Sequence, residues 1–285
     1  MIERFRDAAL FLERAEPWLL RAEAENNLLL AVAHHHRAAD PVDEALYLAA
    51  VVVDGAVSGC AFRTPPLKVG LTRMPREAIG PLAEDVAAAF HSIPGVLGPE
   101  PEAGLFASAW SARTGARAHV GMRQGIYRLE RVLLPDALPP GHLRMARPQD
   151  FDLAVEWASH FVRETGIDDR QLQRSIGTRI TAGTLWLWDD GRPRSMAAEG
   201  GRTPNGSRIN WVFTPTKWRG RGYASACVAR LSERILASGK RFCFLYTDLS
   251  NPTSNALYRR LGYVSVCEVV EYRFVDDARQ ESNPP

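Results

Sequence analysis

Arginine and glycine alternate through Arg219-Gly220-Arg221-Gly222, and Tyr223-Ala224 follow. Glycines in a turn let main-chain N–H groups approach a ligand closely, and two guanidiniums add full positive charge. That combination is suited to binding an anion, phosphate above all. Before it runs Ile209-Asn210-Trp211-Val212-Phe213-Thr214, with the β-branched and aromatic content of a buried strand. Pro215 then ends ladder pairing because it has no N–H to give. After it, Ala224, Cys227, Val228, Leu231 and Ile235 recur at three- and four-residue intervals, one face of an amphipathic helix. A strand, a glycine turn and a helix start together leave N–H groups unpaired at the positive end of a helix dipole, where phosphate groups bind.

Three phosphate-binding turns bear comparison. A Walker loop needs four residues between its glycines and then Gly-Lys-Ser/Thr, which this stretch lacks. A dinucleotide fingerprint needs Gly-x-Gly-x-x-Gly, and Ser225 stands where the third glycine belongs. The third pattern, Arg/Gln-x-x-Gly-x-Gly/Ala, is met by Arg219, Gly222 and Ala224. Together with Val212-Phe213-Thr214-Pro215, this stretch resembles the acetyl-CoA pyrophosphate loop of the GNAT superfamily of N-acetyltransferases. An exposed basic turn is the plain alternative, so the downstream residues matter.

Arg241-Phe242-Cys243-Phe244-Leu245-Tyr246-Thr247 reads as a second buried strand, with Gly239 before it as a helix C-cap. Asp248-Leu249-Ser250-Asn251-Pro252 is a turn cluster whose proline suits the first turn of a helix. Asn251, Asn255, Tyr258 and Gly262 follow at spacings that put them on one helical face. From Asn251 to Tyr263 the stretch is similar to the second GNAT motif, in which an asparagine opens the helix, a tyrosine follows and a Gly-aromatic pair closes it. Val264 to Phe274 reads as the closing strands.

The resemblance spans His142 to Phe274 and implies an α+β fold, a central, mostly antiparallel sheet with two splayed parallel strands, flanked by helices. Upstream, Leu143 to Pro148 and Gln149 to Asp152 look like its first strand and first helix. A second helix is expected over Asp169 to Thr181, with strands at Leu185 to Trp188 and Arg194 to Glu199.

Acyl transfer from a thioester to an amine requires a held thioester, a polarised carbonyl, a deprotonated amine and a protonated leaving thiolate. The resemblance implies acetyl-CoA as cosubstrate, its pyrophosphate held at Arg219, Gly220, Arg221, Gly222, Tyr223 and Ala224. It implies pantetheine contacts at Val212 and Thr214, a carbonyl polariser in the N–H of Phe213 or Val212, and further contacts at Asn251 and Asn255. Tyr258 matches the tyrosine that protonates the CoA sulfur, and a phenol with an ordinary pKa of about 10 carries its proton at neutral pH. A tyrosine simply packed under a helix is the competing account. Glu199, Asp248 and water remain open as base. The acceptor is expected to be a primary amine, small or peptidic, received by direct transfer without a metal. A non-catalytic acyl-CoA-binding or regulatory module is the alternative.

The first half has no such turn. Phe5, Ala8, Leu12 and Ala15 trace a helical face, Pro17 reads as the start of a new segment, and Asn27 to Ala33 continues the apolar pattern. Asp54-Gly55 joins strands Leu46 to Val53 and Val57 to Arg63 as a hairpin. Helices are expected at 76–91 and 102–114, and a strand over Ala118 to Val132. Residues 133–141 have linker composition, which gives domains at 1–134 and 142–285 with a 135–141 linker. The first domain is either a degenerate GNAT-like domain that has lost CoA binding or an unrelated α+β domain. In both readings it walls the acceptor site or makes a homodimer contact.

With 285 residues, 46% apolar and 24% charged, the chain has the composition of a globular protein with an adequate core. A net charge of +2 argues for neither nucleic acid nor an anionic membrane, and no apolar run approaches the ~20 residues of a membrane span. Met1 to Asp7 mixes acidic and basic groups, unlike a secretory signal. Cys60, Cys227, Cys243 and Cys267 occur singly, which fits reduced thiols and a cytoplasmic setting. Cys227, near the glycine turn, is better explained as buried than as a nucleophile. His34-His35-His36 reads as a polar helix end, since adjacent histidines diverge on a helix.

Overall fold

Alternation of apolar residues along the strands decides what each sheet face buries. A computed structural model of the protein describes residues 1–37, 46–166 and 171–275. In chain order the elements are β1 (Ile2–Phe5), α1 (Ala8–Leu19), α2 (Asn27–Arg37), β2 (Tyr47–Val53), β3 (Ala56–Arg63), β4 (Val69–Leu71), α3 (Ile79–Ala89), β5 (Gly95–Pro99), α4 (Glu102–Thr114) and β6 (Arg117–Leu129). They continue as β7 (His142–Met145), α5 (Phe151–Thr165), α6 (Leu172–Thr181), β8 (Leu185–Asp189), β9 (Pro193–Gly200), β10 (Gly206–Phe213), α7 (Tyr223–Ala237), β11 (Phe242–Asp248), α8 (Pro252–Arg260) and β12 (Val264–Val275).

Two compact units result. One holds Met1–Ile126, Asp248–Ser250 and the chain from Val266; the other holds Tyr127–Thr247 and Asn251–Ser265. This grouping differs from the 1–134, 135–141 and 142–285 division because β12 pairs with β5, Val269 opposite Pro99 through Arg273 opposite Gly95. The closing strand of the second half thus completes the sheet of the first. Residues 135–141 fall inside the second unit.

In the first unit β2 alternates cleanly. Leu48, Ala50 and Val52 pack under α1 and α2, whereas Tyr47, Ala49 and Val51 pack with α3 and α4. Asp54 and Gly55 take φ of 49° and 76°, the two left-handed positions of a tight hairpin turn. β4 runs parallel to β5, with α3 as the connection, while β1–β2, β2–β3, β3–β4 and β5–β12 pair antiparallel. β1, β4 and β5 lie outside the strands expected from sequence. Pro17 does not start a segment, because α1 continues through it to Leu19, anchored by the fully buried Ala15 and Leu19.

The second unit repeats the scheme. Its strands run in the order β11-β10-β9-β8-β7, parallel between β10 and β11 and antiparallel elsewhere. Trp186, Trp188, Ala197 and Ile209 face α7 and α8, while Leu185, Leu187, Met196 and Ala198 face α5 and α6. The expected mostly antiparallel sheet with one parallel pair, flanked by helices, is therefore what the chain forms. The described part of the second expected helix is α6; Asp169 lies outside the described residues.

Candidate active site

The parallel pairing of β10 and β11 is short. Gly206, Ser207 and Arg208 register with Phe242, Cys243 and Phe244, and the register goes no further. From Ile209 to Phe213 the β11-side edge of β10 therefore has main-chain groups without a strand partner, room for an extended ligand to add to the sheet. On its other side β10 is irregular between Asn210 and Phe213, where Trp211 takes φ of 53°. A non-glycine residue in that region costs roughly 1–2 kcal/mol. The strain is offset by packing, because Trp211 is buried against Phe161 with ring centroids 5.2 Å apart.

The irregularity has a visible effect on facing. Ile209 packs toward α7, yet Trp211 and Phe213 both pack toward α5 and α6, and Val212 packs toward α7. The bulge reverses the alternation in the middle of the strand. Beyond it, Thr214 Oγ1 donates to Ser195 Oγ at 2.9 Å, and Ser195 Oγ donates to the Phe213 carbonyl at 3.1 Å. Nothing in Asn210-Trp211-Val212-Phe213 announces this bulge, since glycine, its usual sequence marker, is absent.

The turn after β10 is as the sequence predicts. Gly220 and Gly222 have φ of 73° and 81°, and Gly222 is the N-cap of α7 with no side chain capping the helix. The first-turn N–H groups of α7 thus lack intrahelical and side-chain acceptors. Gly220, Arg221 and Gly222 are exposed and Tyr223 is buried, its hydroxyl bonded to Asp190 Oδ2 at 3.1 Å. The two arginines behave differently. Arg219 binds both carboxylate oxygens of Glu164, at 2.7 and 2.8 Å, and donates from Nε to the Thr214 carbonyl at 2.9 Å. It ties the loop to α5 and contributes less free charge than its sequence position promises.

The positive charge comes from a wider set. Around the Trp218 ring lie the guanidiniums of Arg221 at 5.1 Å and Arg192 at 5.2 Å and the Lys217 ammonium at 5.8 Å, with the buried Arg194 at 3.8 Å, itself paired with Asp190 at 3.3 Å. Arg192 and Arg194 are supplied by the β8–β9 hairpin, so only the fold brings them to the turn. An indole face holds such cations by its ring quadrupole and keeps them clustered.

Asn251 is the N-cap of α8, its side-chain oxygen accepting from Ser254 N at 3.0 Å, while Asn255 and Tyr258 are buried on the following turns. Tyr258 packs edge-on to Tyr263, and among the described residues its hydroxyl has no hydrogen-bond partner. Burial pushes the phenol up to about 12. It keeps its proton throughout the neutral range.

The other sequence candidates are hydrogen-bonded locally or buried. Glu199 accepts from Arg202 Nε and Ser207 Oγ, both at 2.9 Å. Asp248 accepts from the N and Oγ of Ser250, both at 2.8 Å. Both carboxylates are engaged in holding their own turns. Cys227 is fully buried, and burial pushes its thiol up to about 12, the opposite of an activated nucleophile. His34 pairs with Glu16 at 2.7 Å on the end of α2. Among the described residues no group of His, Cys, Asp and Glu could hold a metal ion, and no helix is long and apolar enough to cross a membrane.

Comparison with known proteins fits this geometry. Residues 188–274, which hold the open strand, the glycine turn and α8, match the family described as FR47-like protein. A Drosophila protein of solved structure superimposes with a TM-score of 0.72 at 11% identity, covering 96% of this chain and 98% of that one. A GCN5-related N-acetyltransferase from Sphaerobacter thermophilus gives 0.59 at 18% identity, covering 95% of each chain. A tandem GNAT protein from the clavulanic acid biosynthesis pathway gives 0.50 at 14% identity, over 96% of this chain and 98% of that one. A search of curated proteins finds no match. At these identities the likeness is one of fold, and it extends over both halves.

Proposed function

From a chain with the GNAT acetyltransferase fold and an FR47-like segment at 188–274, we propose an N-acyltransferase that moves an acetyl group from acetyl-CoA directly to an amine. The observation that carries this reading is the junction of the open β10 edge with the uncapped start of α7. An extended pantetheine arm fits the first, and a pyrophosphate fits the second. Gly220, Gly222 and the N–H groups of Tyr223 and Ala224 form the phosphate cradle, with Arg221 and the cations around Trp218 adding charge. Val212, Phe213 and Thr214 hold the arm and polarise the thioester carbonyl, and Asn251 and Asn255 flank it.

In the reaction the amine nitrogen attacks the thioester carbon. A C–N bond forms and the C–S bond breaks. The departing sulfur takes the Tyr258 proton, and the nitrogen releases its own proton to water, which restores the phenol by exchange. No carboxylate is assigned as base, because Glu199 and Asp248 are engaged elsewhere. That engagement also favours the second reading, an acyl-CoA-binding module without turnover. Tyr258 supports the first reading: a buried phenol with no hydrogen-bond partner among the described residues is suited to donating its proton.

Release of CoA from acetyl-CoA across a panel of amines tests the reading. The Tyr258→Phe variant should turn over about 10²-fold more slowly while binding acetyl-CoA as well as the parent does. Equal turnover by parent and variant removes the acid role, and absence of CoA release with every amine favours the binding module.

A further inference from the structure

Arg208 is the last residue of β10 registered with β11, and it meets no carboxylate among the described residues. Its Nε is shut off from solvent without a hydrogen bond, and its guanidinium lies 5.9 Å from the centre of the Tyr246 ring. Burial lowers its pKa, because lost hydration is not replaced by a negative neighbour. Two residues on, Asn210 Oδ1 is also buried without a donor. A guanidinium and an amide oxygen left this way are costly, and native structures retain them where something else completes the bonding.

The two groups share a place. Residues two apart in a strand point to the same face, here the face opposite Ile209 and so the α6 side of the sheet. A Cβ at Gly200 would stand 3.6 Å from Asn210 Nδ2 and 3.2 Å from Arg179 Nη1, and one at Gly201 would stand 2.9 Å from Arg208 Cζ. The glycine pair at the end of β9 is what makes room for them. Arg179, from α6, also lies over the Trp211 ring at 5.9 Å, so the cluster borders the bulge. Among the described residues, Arg208 has a neighbouring amide oxygen seeking a donor and no acid bonded to it.

We propose that the acceptor is an amine that carries a carboxylate, an amino acid or a compound built like one, held between Arg208 and Asn210. The carboxylate supplies the missing counter-ion to Arg208. The amine N–H supplies the missing donor to Asn210 Oδ1. That arrangement leaves the nitrogen one residue from Trp211, beside the open edge where the thioester is placed. The inference rests on the acetyl-transfer reading and adds the acceptor class to it.

The test compares CoA release with amino acids, their carboxamides and aminoalkylphosphonates, at saturating acetyl-CoA, in the parent and in Arg208→Met and Arg208→Lys. The best amino acid should exceed its carboxamide in kcat/KM by about tenfold to a hundredfold, as expected when a half-buried guanidinium is left without its counter-ion. Arg208→Met should erase that preference through KM, Arg208→Lys should restore part of it, and acetyl-CoA affinity should not change. Removing a half-buried cation that has no acidic neighbour should not lower Tm, and amino acids should raise the parent's Tm where carboxamides do not. Carboxamides or phosphonates used as well as carboxylates overturn the proposal, as does Arg208→Met slowing all amines alike. If acetyl-CoA binds and amines are acetylated without preference, this inference alone fails; if acetyl-CoA does not bind, the transfer reading fails and takes the inference with it.

Discussion

β4–α3–β5 and β10–α7–β11 are the same local device, two parallel strands joined by a helix, and only one of them is open at the strand-to-helix turn. After β10 the chain makes two left-handed glycine positions and enters α7 uncapped. After β4 it runs Thr72-Arg73-Met74-Pro75 into a 3₁₀ turn at Arg76–Ala78, where Ala78 N is already bonded to the Pro75 carbonyl at 3.0 Å. The buried carboxylate of Glu102 accepts from Met74 N at 3.4 Å, and Arg73 is paired with Glu25 at 2.8 Å. Donors left open in the second unit are satisfied internally in the first, and a carboxylate rather than a cation stands beside the turn there. α4 also contains no tyrosine, and its Ser108 hydroxyl is turned back onto the Gly104 carbonyl at 3.0 Å. The fold supplies the framework, and a handful of residues at one turn decide whether its donors are left open.

Closing the open turn should have the largest effect. Gly222→Val forces a β-branched residue to φ of 81° and covers the N–H groups, so CoA affinity should fall about a hundredfold or more by calorimetry. Affinity within a factor of two of the parent would show that α7 does not hold the phosphates. Next, Trp218→Ala should disperse the cations gathered on that ring and weaken CoA binding about tenfold, with the loss shrinking as salt rises. A loss independent of salt would mean that the ring acts by packing alone. Arg219→Ala should cost only a few-fold, because that side chain is committed to an exposed pair with Glu164, both side chains being about 45% accessible.

The pH dependence follows from Tyr258. Its pKa in the folded chain, about 12, is raised above the ordinary value near 10, so folding favours the protonated form. The stability this contributes is complete below about pH 10 and is lost as pH rises through about 12. Turnover should therefore show no alkaline decline from this group below that range. An alkaline limb centred near pH 8 that disappears in Tyr258→Phe would contradict the assigned environment.

The smallest change belongs to the first unit. Glu102→Gln keeps the shape and removes the charge, and it should shift stability by no more than about 1 kcal/mol while creating no second CoA site. A second equivalent of CoA bound by that variant would mean that charge alone, and not the missing glycines, closes the first turn.

Sequence legibility follows the same contrast. α7, β11 and α8 lie within a residue or two of where periodicity and caps put them, because Gly222, Gly239 and Asn251-Pro252 mark their ends chemically. β4 and β5 carry Val-Gly-Leu and Gly-Val-Leu-Gly-Pro, too short and too glycine-rich to register as strands until neighbours pair with them. Pro17 looks like a break and is not one, because burial of Leu19 beyond it outweighs a lost helix bond. The glycine turn was readable because its chemistry is local. Arg192, Arg194, Arg208 and Asn210 were not, because their meaning depends on a hairpin and a bulge bringing distant residues to one face.

We expect the turn at 219–224 to be a CoA cradle and its counterpart in the first unit not to be one. Calorimetric titration of the full chain with acetyl-CoA, NAD and ATP tests it most directly. One equivalent of acetyl-CoA should bind per chain, abolished by Gly222→Val and unchanged by Glu102→Gln, with no comparable heat from NAD or ATP. Binding of NAD or ATP without binding of acetyl-CoA, or two equivalents of acetyl-CoA in the parent chain, would contradict it.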